Sequence, residues 1–457
     1  MAYLHGPHAE IGDLADEVSG FIRQRLHGAP LGRTATAADL DAALANSITS
    51  GGLGAEKAWR LMTDVVVANT VGIDSERFLA FIPVSPSAAA AWADAVVGAA
   101  SFPAESWLEA AGAVAAENQV LRLLADFAGM PAAAGGCFMS GGSIGNLSAL
   151  AVARDQQPDR RMVAVADSAH ASVHNTLHLL GLTALVVATD DDGRLSARAL
   201  RDALRGRSDV GTVVASAGST NAGLIDDLDG IADVAAETGS WFHVDAAYGG
   251  AALFLAEFRD RLRGIGRADS FIVDPHKWLF APAGSCALLY RNPALASKVH
   301  TQHGPYIDVF RESGDEWNPS DFGYQLTRRA SGLALWFSLV VHGIDAMQEA
   351  IGKGLELARY AAAAISNADP RLSVVMAPEL SVVLFRREGW GSADWSAWAR
   401  LLLADGIAFV APTTWRGEPV GRLVFMHPLT PTSVIDEIVA TLVIDPPDLA
   451  SHLESDT

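Results

Sequence analysis

The sequence predicts an α/β fold, in which a mostly parallel sheet covered on both faces by helices is preceded by a helical arm and followed by a smaller α+β unit. Three observations carry this reading. Between about residues 76 and 345, short apolar runs alternate with helical segments, the pattern of strands buried on both faces. After His342 the order changes to a helix, two strands in succession, then helix, strand and helix. The chain is 457 residues long and half apolar, enough to bury more than one core. The expected units are an N-terminal helical arm at 1–75, a large domain at 76–345 and a small C-terminal domain at 346–457.

Each element follows from local pattern. In the arm, Leu14, Val18, Phe21, Ile22 and Leu26 recur at helical spacing, and Gly51-Gly52-Leu53-Gly54 breaks the run. Such an arm rarely folds alone. The large domain's strands are expected at Met162–Ala166, Ala184–Ala188, Thr212–Ser216, Trp241–Val244, Phe271–Val273 and Cys286–Tyr290. Helices lie between them, as at Ala197–Leu204, where Ser196 suits the N-cap. Asp190-Asp191-Asp192 before Gly193 reads as a turn, since a calcium loop would need a distal Glu. The small domain should contain a helix at Ala346–Ile365 and strands at Leu372–Met376 and Ser381–Phe385, with further elements to Val443.

Composition narrows the function. Thirty-three basic against fifty-three acidic residues leave a net charge of −20, which repels nucleic-acid phosphates and anionic bilayers alike. Cys137 and Cys286 sit in small apolar contexts without ligand spacing and read as reduced, buried thiols, which favours the cytoplasm. The first ten residues carry charge and histidines and lack the apolar core of a targeting signal. The apolar stretches Ala88–Ala100 and Ala110–Ala116 are too short to span hydrocarbon, so a soluble protein is expected.

Four segments carry chemistry. Met139 to Asn146 is a Gly-rich turn entering a helix, and backbone amides there converge on an anion. It reads as a phosphate cradle, as a tight structural turn, or, through Gly141-Gly142-Ser143-Ile144-Gly145, as a hydrolase elbow with Ser143 as nucleophile. In Asp274-Pro275-His276-Lys277-Trp278 a lysine beside an aromatic surface loses solvation, which favours the neutral, nucleophilic amine; the alternative is a lysine reaching for solvent. Asp245 ends an apolar strand at the sheet's carboxyl edge, where open parallel sheets bind ligands. A carboxylate there can keep a pyridinium nitrogen protonated, with small Ala247 leaving room for a flat ring; alone, it reads equally as a cap. His170, His174 and His178 recur every four residues, yet no Glu lies between them as in a zinc helix, so no metal site is expected; stacking on a ring needs only His170.

A phosphate cradle, a stacking imidazole, a carboxylate for a pyridine nitrogen and an aldehyde-accepting lysine are the parts that hold pyridoxal phosphate. The blocks SGGSIGN, DSAHASV, AGSTNAG, HVDAAYGG and DPHKW, in that order, resemble the group II pyridoxal-phosphate decarboxylases, which include aromatic L-amino-acid and glutamate decarboxylases. Asp245 precedes Lys277 by 32 residues, as in that family. The likeness runs from about Phe78 to the final strands. Glu109-Ala110-Ala111 replaces the family's Ser-Pro-Ala and His427-Pro428 its Asn-Pro, departures that bear on the substrate rather than the cofactor.

The resemblance implies the aspartate-aminotransferase-like fold (fold type I), with active sites at a homodimer interface, and α-decarboxylation of an L-amino acid, aromatic by preference, to the amine. It implies that Lys277 takes the cofactor aldehyde, Asp245 meets the pyridine nitrogen, and His170 and Ala247 flank the ring. Gly142, Ser143 and His276 would lie by the phosphate or the lysine, Asp274 on the phosphate side, and Thr220 and Asp226 would be supporting polar positions. Tyr306, in a Gly/His-rich loop, matches a tyrosine that protonates the carbon left by carbon dioxide; its alternative is loop packing. Phe81, Ile82 and Trp107 match substrate-pocket positions or belong to ordinary core, and Arg328-Arg329 match structural or dimer-edge charges. Another pyridoxal reaction, yielding an aldehyde or transferring the amine, is the alternative function, and a serine hydrolase a remote one.

Overall fold

The computed structural model describes residues 9–83, 85–311 and 316–444. The arm comprises α1 (Ala9–Leu26), α2 (Ala37–Ala43) and α3 (Ala55–Leu61). Phe21 meets Trp59 edge-on at 5.7 Å, joining α1 to α3, and Arg25 grips Asp74 through two hydrogen bonds. Then follow α4 (Ala88–Ala100), α5 (Trp107–Phe127), β1 (Gly135–Met139), α6 (Gly142–Gln156), β2 (Met162–Ala166), α7 (Ala171–Leu180) and β3 (Thr183–Val187). Next come α8 (Ala197–Leu204), β4 (Val210–Ser216), α9 (Leu228–Thr238), β5 (Trp241–Asp245), α10 (Arg259–Leu262), β6 (Ser270–Val273), β7 (Cys286–Tyr290) and α11 (Pro293–His300).

These seven strands form one sheet in the order β1-β7-β6-β5-β4-β2-β3. Strands β2 to β6 run parallel, and β7 runs antiparallel to both of its neighbours. Strands β4, β5 and β6 are buried along their whole length, as expected of strands covered on both faces. Ser196 caps α8 through Ala199 N–H, and the Asp190 turn closes with Gly193 at φ 84°.

Strand β1 was not expected, because Gly135-Gly136 weakens its strand signature. The structure explains those glycines: a Cβ on Gly136 would lie 1.9 Å from the Leu288 carbonyl oxygen of β7.

The second unit begins with α12 (Leu333–Ala368), which starts thirteen residues before the expected helix at Ala346. Gly343, at φ 79° and ψ 174°, leaves the helical region, so this span is two helices meeting at a kink and the helix expected after His342 is its second part. A four-stranded sheet follows in the order β10-β11-β9-β8, from β8 (Leu372–Val374), β9 (Val382–Arg387), β10 (Thr413–Trp415) and β11 (Glu418–Val424). Helices α13 (Ser392–Ala404) and α14 (Thr432–Leu442) complete it around Trp395, Trp398, Phe385 and Phe425. A buried pair, Glu117 with Arg328, joins α5 to the segment before α12, and Glu117 also accepts the Gly332 amide. That gives Arg328 the structural role expected of it. Arg329 pairs with Asp94 of α4.

Candidate active site

Strand β5 ends on Asp245 at the sheet's carboxyl edge, with Ser216 beside it at the end of β4. The Ala247 amide donates to Asp245 Oδ1 at 3.1 Å and the Asn146 amide to Oδ2 at 3.0 Å, so the carboxylate is held from two sides. After β6 the chain turns: Asp274 N–H meets the Ala247 carbonyl and Lys277 N–H the Asp274 carbonyl. Trp278, fully buried and stacked on Tyr248 at 5.3 Å, anchors that turn and lifts Lys277 toward the crevice.

Lys277 Nζ lies 3.0 Å from Asp274 Oδ2. Its side chain is 20% exposed. Burial alone lowers the amine's pKa, but the charges of Asp274 and Asp245 outweigh it and the net shift is upward. This corrects the expectation of a neutral amine created by desolvation: in this arrangement the carboxylates keep Lys277 an ammonium.

Across the crevice, α6 opens at Gly142. The first-turn amides of a helix have no intrahelical acceptor and carry the positive end of its dipole, and here that turn lines the cavity. A Cβ on Gly142 would lie 2.8 Å from Asp274 Oδ2, so only glycine lets the turn approach so closely. His170 is the N-cap of α7, not part of its helical face, and His174 and His178 are exposed on that helix. Among the described residues no group of His, Cys, Asp or Glu is arranged to hold a metal ion.

Nine of the expected residues, namely Gly142, Ser143, His170, Thr220, Asp245, Ala247, Asp274, His276 and Lys277, line one cavity of about 420 Å³. A second, of about 510 Å³, shares His170, Thr220 and Lys277 with it and is walled by Phe81, Ile82, Ala411 and Pro412. Three expected residues stand elsewhere. Asp226 is buried, accepts the Leu195 and Ser216 amides and lines neither cavity; it braces the end of β4, and burial raises its pKa to about 7. Trp107 begins α5 with its amide on Asn318 and also lines neither. Tyr306 is 76% exposed and lies outside both in the single chain. Among the described residues Ser143 makes no hydrogen bond to His170 or His276, whose Nδ1 atoms meet Ser172 and the Ser285 backbone, so no base is in place to activate it as a nucleophile.

Comparison with known proteins decides among these chemistries. Residues 56–388 match the model of the pyridoxal-dependent decarboxylase conserved domain. The chain belongs to the pyridoxal-dependent decarboxylase family. An aromatic-L-amino-acid decarboxylase of Bacillus atrophaeus is 30% identical over 433 residues, covering 91% of this chain and 90% of that one. An L-2,4-diaminobutyrate decarboxylase of Rhizobium meliloti is 34% identical over 391 residues, covering 81% and 77%. The structure of Oryza sativa TDC with PLP and tryptamine superposes with a TM-score of 0.88 at 24% identity over 96% of this chain and 97% of that one, which shows the fold. The fold is therefore type I, as expected.

As a pyridoxal-dependent decarboxylase the protein is an amino-acid carboxy-lyase that uses pyridoxal phosphate. The cavity fits that group: an anion cradle at α6, an amine on Lys277 and a carboxylate on Asp245 converge, and Gly142 leaves the room a Cβ would fill. The motif blocks also contain polar residues at or beside the first cavity. Asn146, Ser172 and His243 lie inside the quoted blocks but carried no signal of their own, being ordinary polar residues in helix and strand. Arg422 of β11 sits far along the chain, buried, its pKa lowered to about 10 by burial, donating to the carbonyls of Phe81, Thr220 and Asn221. Among the described residues no helix is long and apolar enough to cross a membrane.

Proposed function

We propose that the protein decarboxylates an aromatic L-amino acid to its amine and carbon dioxide, as a cytoplasmic homodimer. One observation carries the substrate class: the cavity opening onto Lys277 is walled by Phe81, Ile82, Ala411 and Pro412, an apolar surface that suits an aromatic side chain. Phe81 packs with Phe78 and Phe409. The relative from Bacillus atrophaeus supports the same class. The dimer is supported by an exposed apolar face on α4 and α12, with Trp92, Val96, Phe337, Val340 and Val341. The buried, unpaired thiols of Cys137 and Cys286 suit a reducing compartment.

Bound pyridoxal phosphate supplies an electron sink for the pair left when carbon dioxide departs. In this reading Lys277 would take its aldehyde, Asp245 would meet its pyridine nitrogen, and His170 and Ala247 would flank the ring. The α6 amides, Ser143 and His276 would hold the phosphate, with Thr220 at the rim. Asp245, an acceptor fixed by Asn146 and Ala247, favours a proton on the ring nitrogen. Tyr306 delivers a proton from its hydroxyl to the substrate carbon, in the partner's site or its own, which favours amine over aldehyde. The test is incubation of the pyridoxal-loaded protein with the twenty common amino acids, diaminobutyrate and dihydroxyphenylalanine, with products identified by mass spectrometry. An aromatic amine is expected; diaminopropane as main product would overturn the aromatic reading, and an aldehyde would overturn the assignment as an amine-former.

A further inference from the structure

We infer that Asn146 is a positioning residue in the proton order of the site: its single amide holds Asp245 as a hydrogen-bond acceptor and holds the Ser172 hydroxyl so that its proton faces the unprotonated Nδ1 of His170. Asn146 is 1% exposed in the first turns of α6, and its side chain makes three contacts. Its Nδ2 reaches Asp245 Oδ2 at 3.0 Å and Ser172 Oγ at 3.2 Å, and its Oδ1 lies 2.9 Å from His243 Nε2. A primary amide has two N–H donors and one carbonyl oxygen, so the three contacts use every group it has.

The direction of each hydrogen bond then follows by elimination. An ionised carboxylate only accepts, so the amide nitrogen must face Asp245 and the carbonyl must face His243. A carbonyl cannot donate, so the proton of His243 sits on Nε2. Its Nδ1 is then a lone pair, and it takes the hydroxyl proton of Ser270 at 2.8 Å. Ser270 in turn accepts Trp241 Nε1–H at 3.0 Å. Indole nitrogen is a donor only, which closes that end. The bonds run one way, from Trp241 through Ser270, His243 and Asn146 to Asp245. His243 is fully buried, and burial lowers its pKa, which favours the uncharged ring along this chain.

A second branch leaves the same amide. Ser172 Oγ accepts the other Nδ2 proton and lies 2.8 Å from His170 Nδ1. The backbone N–H of Ser172 also points at that nitrogen, at 3.2 Å, and a backbone N–H can only donate. Nδ1 of His170 is therefore an acceptor, and the ring proton is on Nε2. One amide thus couples the residue assigned to the pyridine nitrogen with the residue assigned to the ring face. A protonated Asp245 would instead donate, turn the Asn146 amide over and move the His243 proton to Nδ1. The catalytic consequence rests on the proposed roles of Asp245 and His170; the proton order does not.

The test labels the full-length chain with ¹⁵N-histidine and reads imidazole tautomers with pyridoxal phosphate bound and after its removal. His170→Gln and His243→Gln assign the two signals. Both histidines are expected as Nε2–H. Asn146→Asp keeps the shape but has no N–H to give, and its carboxylate and that of Asp245 must share a proton. In that variant Ser172 turns its hydroxyl toward the new carboxylate, so the His170 signal shifts while His243 remains Nε2–H. The variant's kcat falls at least about tenfold with KM within about twofold, because charge at Asp245 is lost while the substrate wall is untouched. Nδ1–H on either wild-type histidine overturns the inference, as does an unchanged His170 signal in folded Asn146→Asp. If that variant does not fold, the wild-type tautomers decide alone. These readings need no substrate, so they stand apart from the identity of the amine.

Discussion

Replacing Gly142 by alanine tests the cradle in a way that separates backbone from side-chain effects. Gly142 is the first residue of α6 and its backbone is one any residue can adopt, so alanine brings no backbone strain and gains at most about 1 kcal/mol of helix propensity. The obstacle is steric. The new methyl would lie 2.8 and 3.1 Å from the two oxygens of Asp274 and 3.3 Å from its Cγ. That carboxylate cannot swing aside freely, being buried and 3.0 Å from Lys277 Nζ, with its backbone amide on Ala247. Overpacking of this kind costs about 1–3 kcal/mol. Helix propensity offsets at most about 1 kcal/mol of that, so the net loss is about 0–2 kcal/mol and melting of the cofactor-free protein should stay within a few degrees of wild type. The displacement falls on the cofactor cavity, so the dissociation constant for pyridoxal phosphate should rise about 5- to 140-fold. Equilibrium titration of the cofactor-free protein measures it. Wild-type affinity together with wild-type melting would refute the claim that the α6 turn and Asp274 bound the phosphate end of the site.

Lys277→Ala should abolish covalent cofactor capture, and borohydride reduction followed by peptide mapping of the wild type should find the pyridoxyl label on Lys277 and on no other lysine. Tyr306→Phe should retain cofactor binding but slow amine release and divert product to an aldehyde with oxygen uptake, measured by quantifying amine, aldehyde and peroxide under equal aeration; wild-type amine rates would reduce Tyr306 to loop packing. Glu117→Ala leaves Arg328 buried without its carboxylate and should destabilise the fold by about 3–5 kcal/mol in urea unfolding, whereas Glu117→Leu combined with Arg328→Met should lose much less than the sum of the single changes. Additive losses would show that the pair is not energetically coupled.

Strands β2 and β7 could be read from the sequence to the residue, because each is an apolar run bounded by polar or turn residues. Strand β1 could not, since its glycines serve a close approach to β7 that no local pattern encodes. The helical turn pattern after His342 was legible because Gly343 breaks the backbone there, whereas the preceding helical part from Leu333 was not read as the start of the unit. At the site, nine residues lay in short motif blocks because turns and strand ends gather them locally. Asp226, expected as a supporting polar position, braces two backbone amides behind the cavity, a distinction its sequence context does not carry. The sign of the Lys277 shift needed distances: burial is legible beside Trp278, but the nearness of Asp274 and Asp245 is not.

The reach of Arg422 bears on the order in which the protein is made. Every residue lining the first cavity has been added to the chain once Gly284 is joined, whereas Arg422, which gathers the carbonyls of Phe81, Thr220 and Asn221, is added 138 residues later. At about 5–20 residues per second that interval is roughly 7–28 s. During it a growing chain already contains the lysine, the carboxylate and the glycine turn, but not the strand that ties Phe81 to the mouth. Phe81 and Ile82 precede the residues of the first cavity, and Ala411 and Pro412 precede β11, so a chain cut short before β11 would hold those wall residues but lack the guanidinium that fastens the carbonyls of Phe81 and Thr220 together.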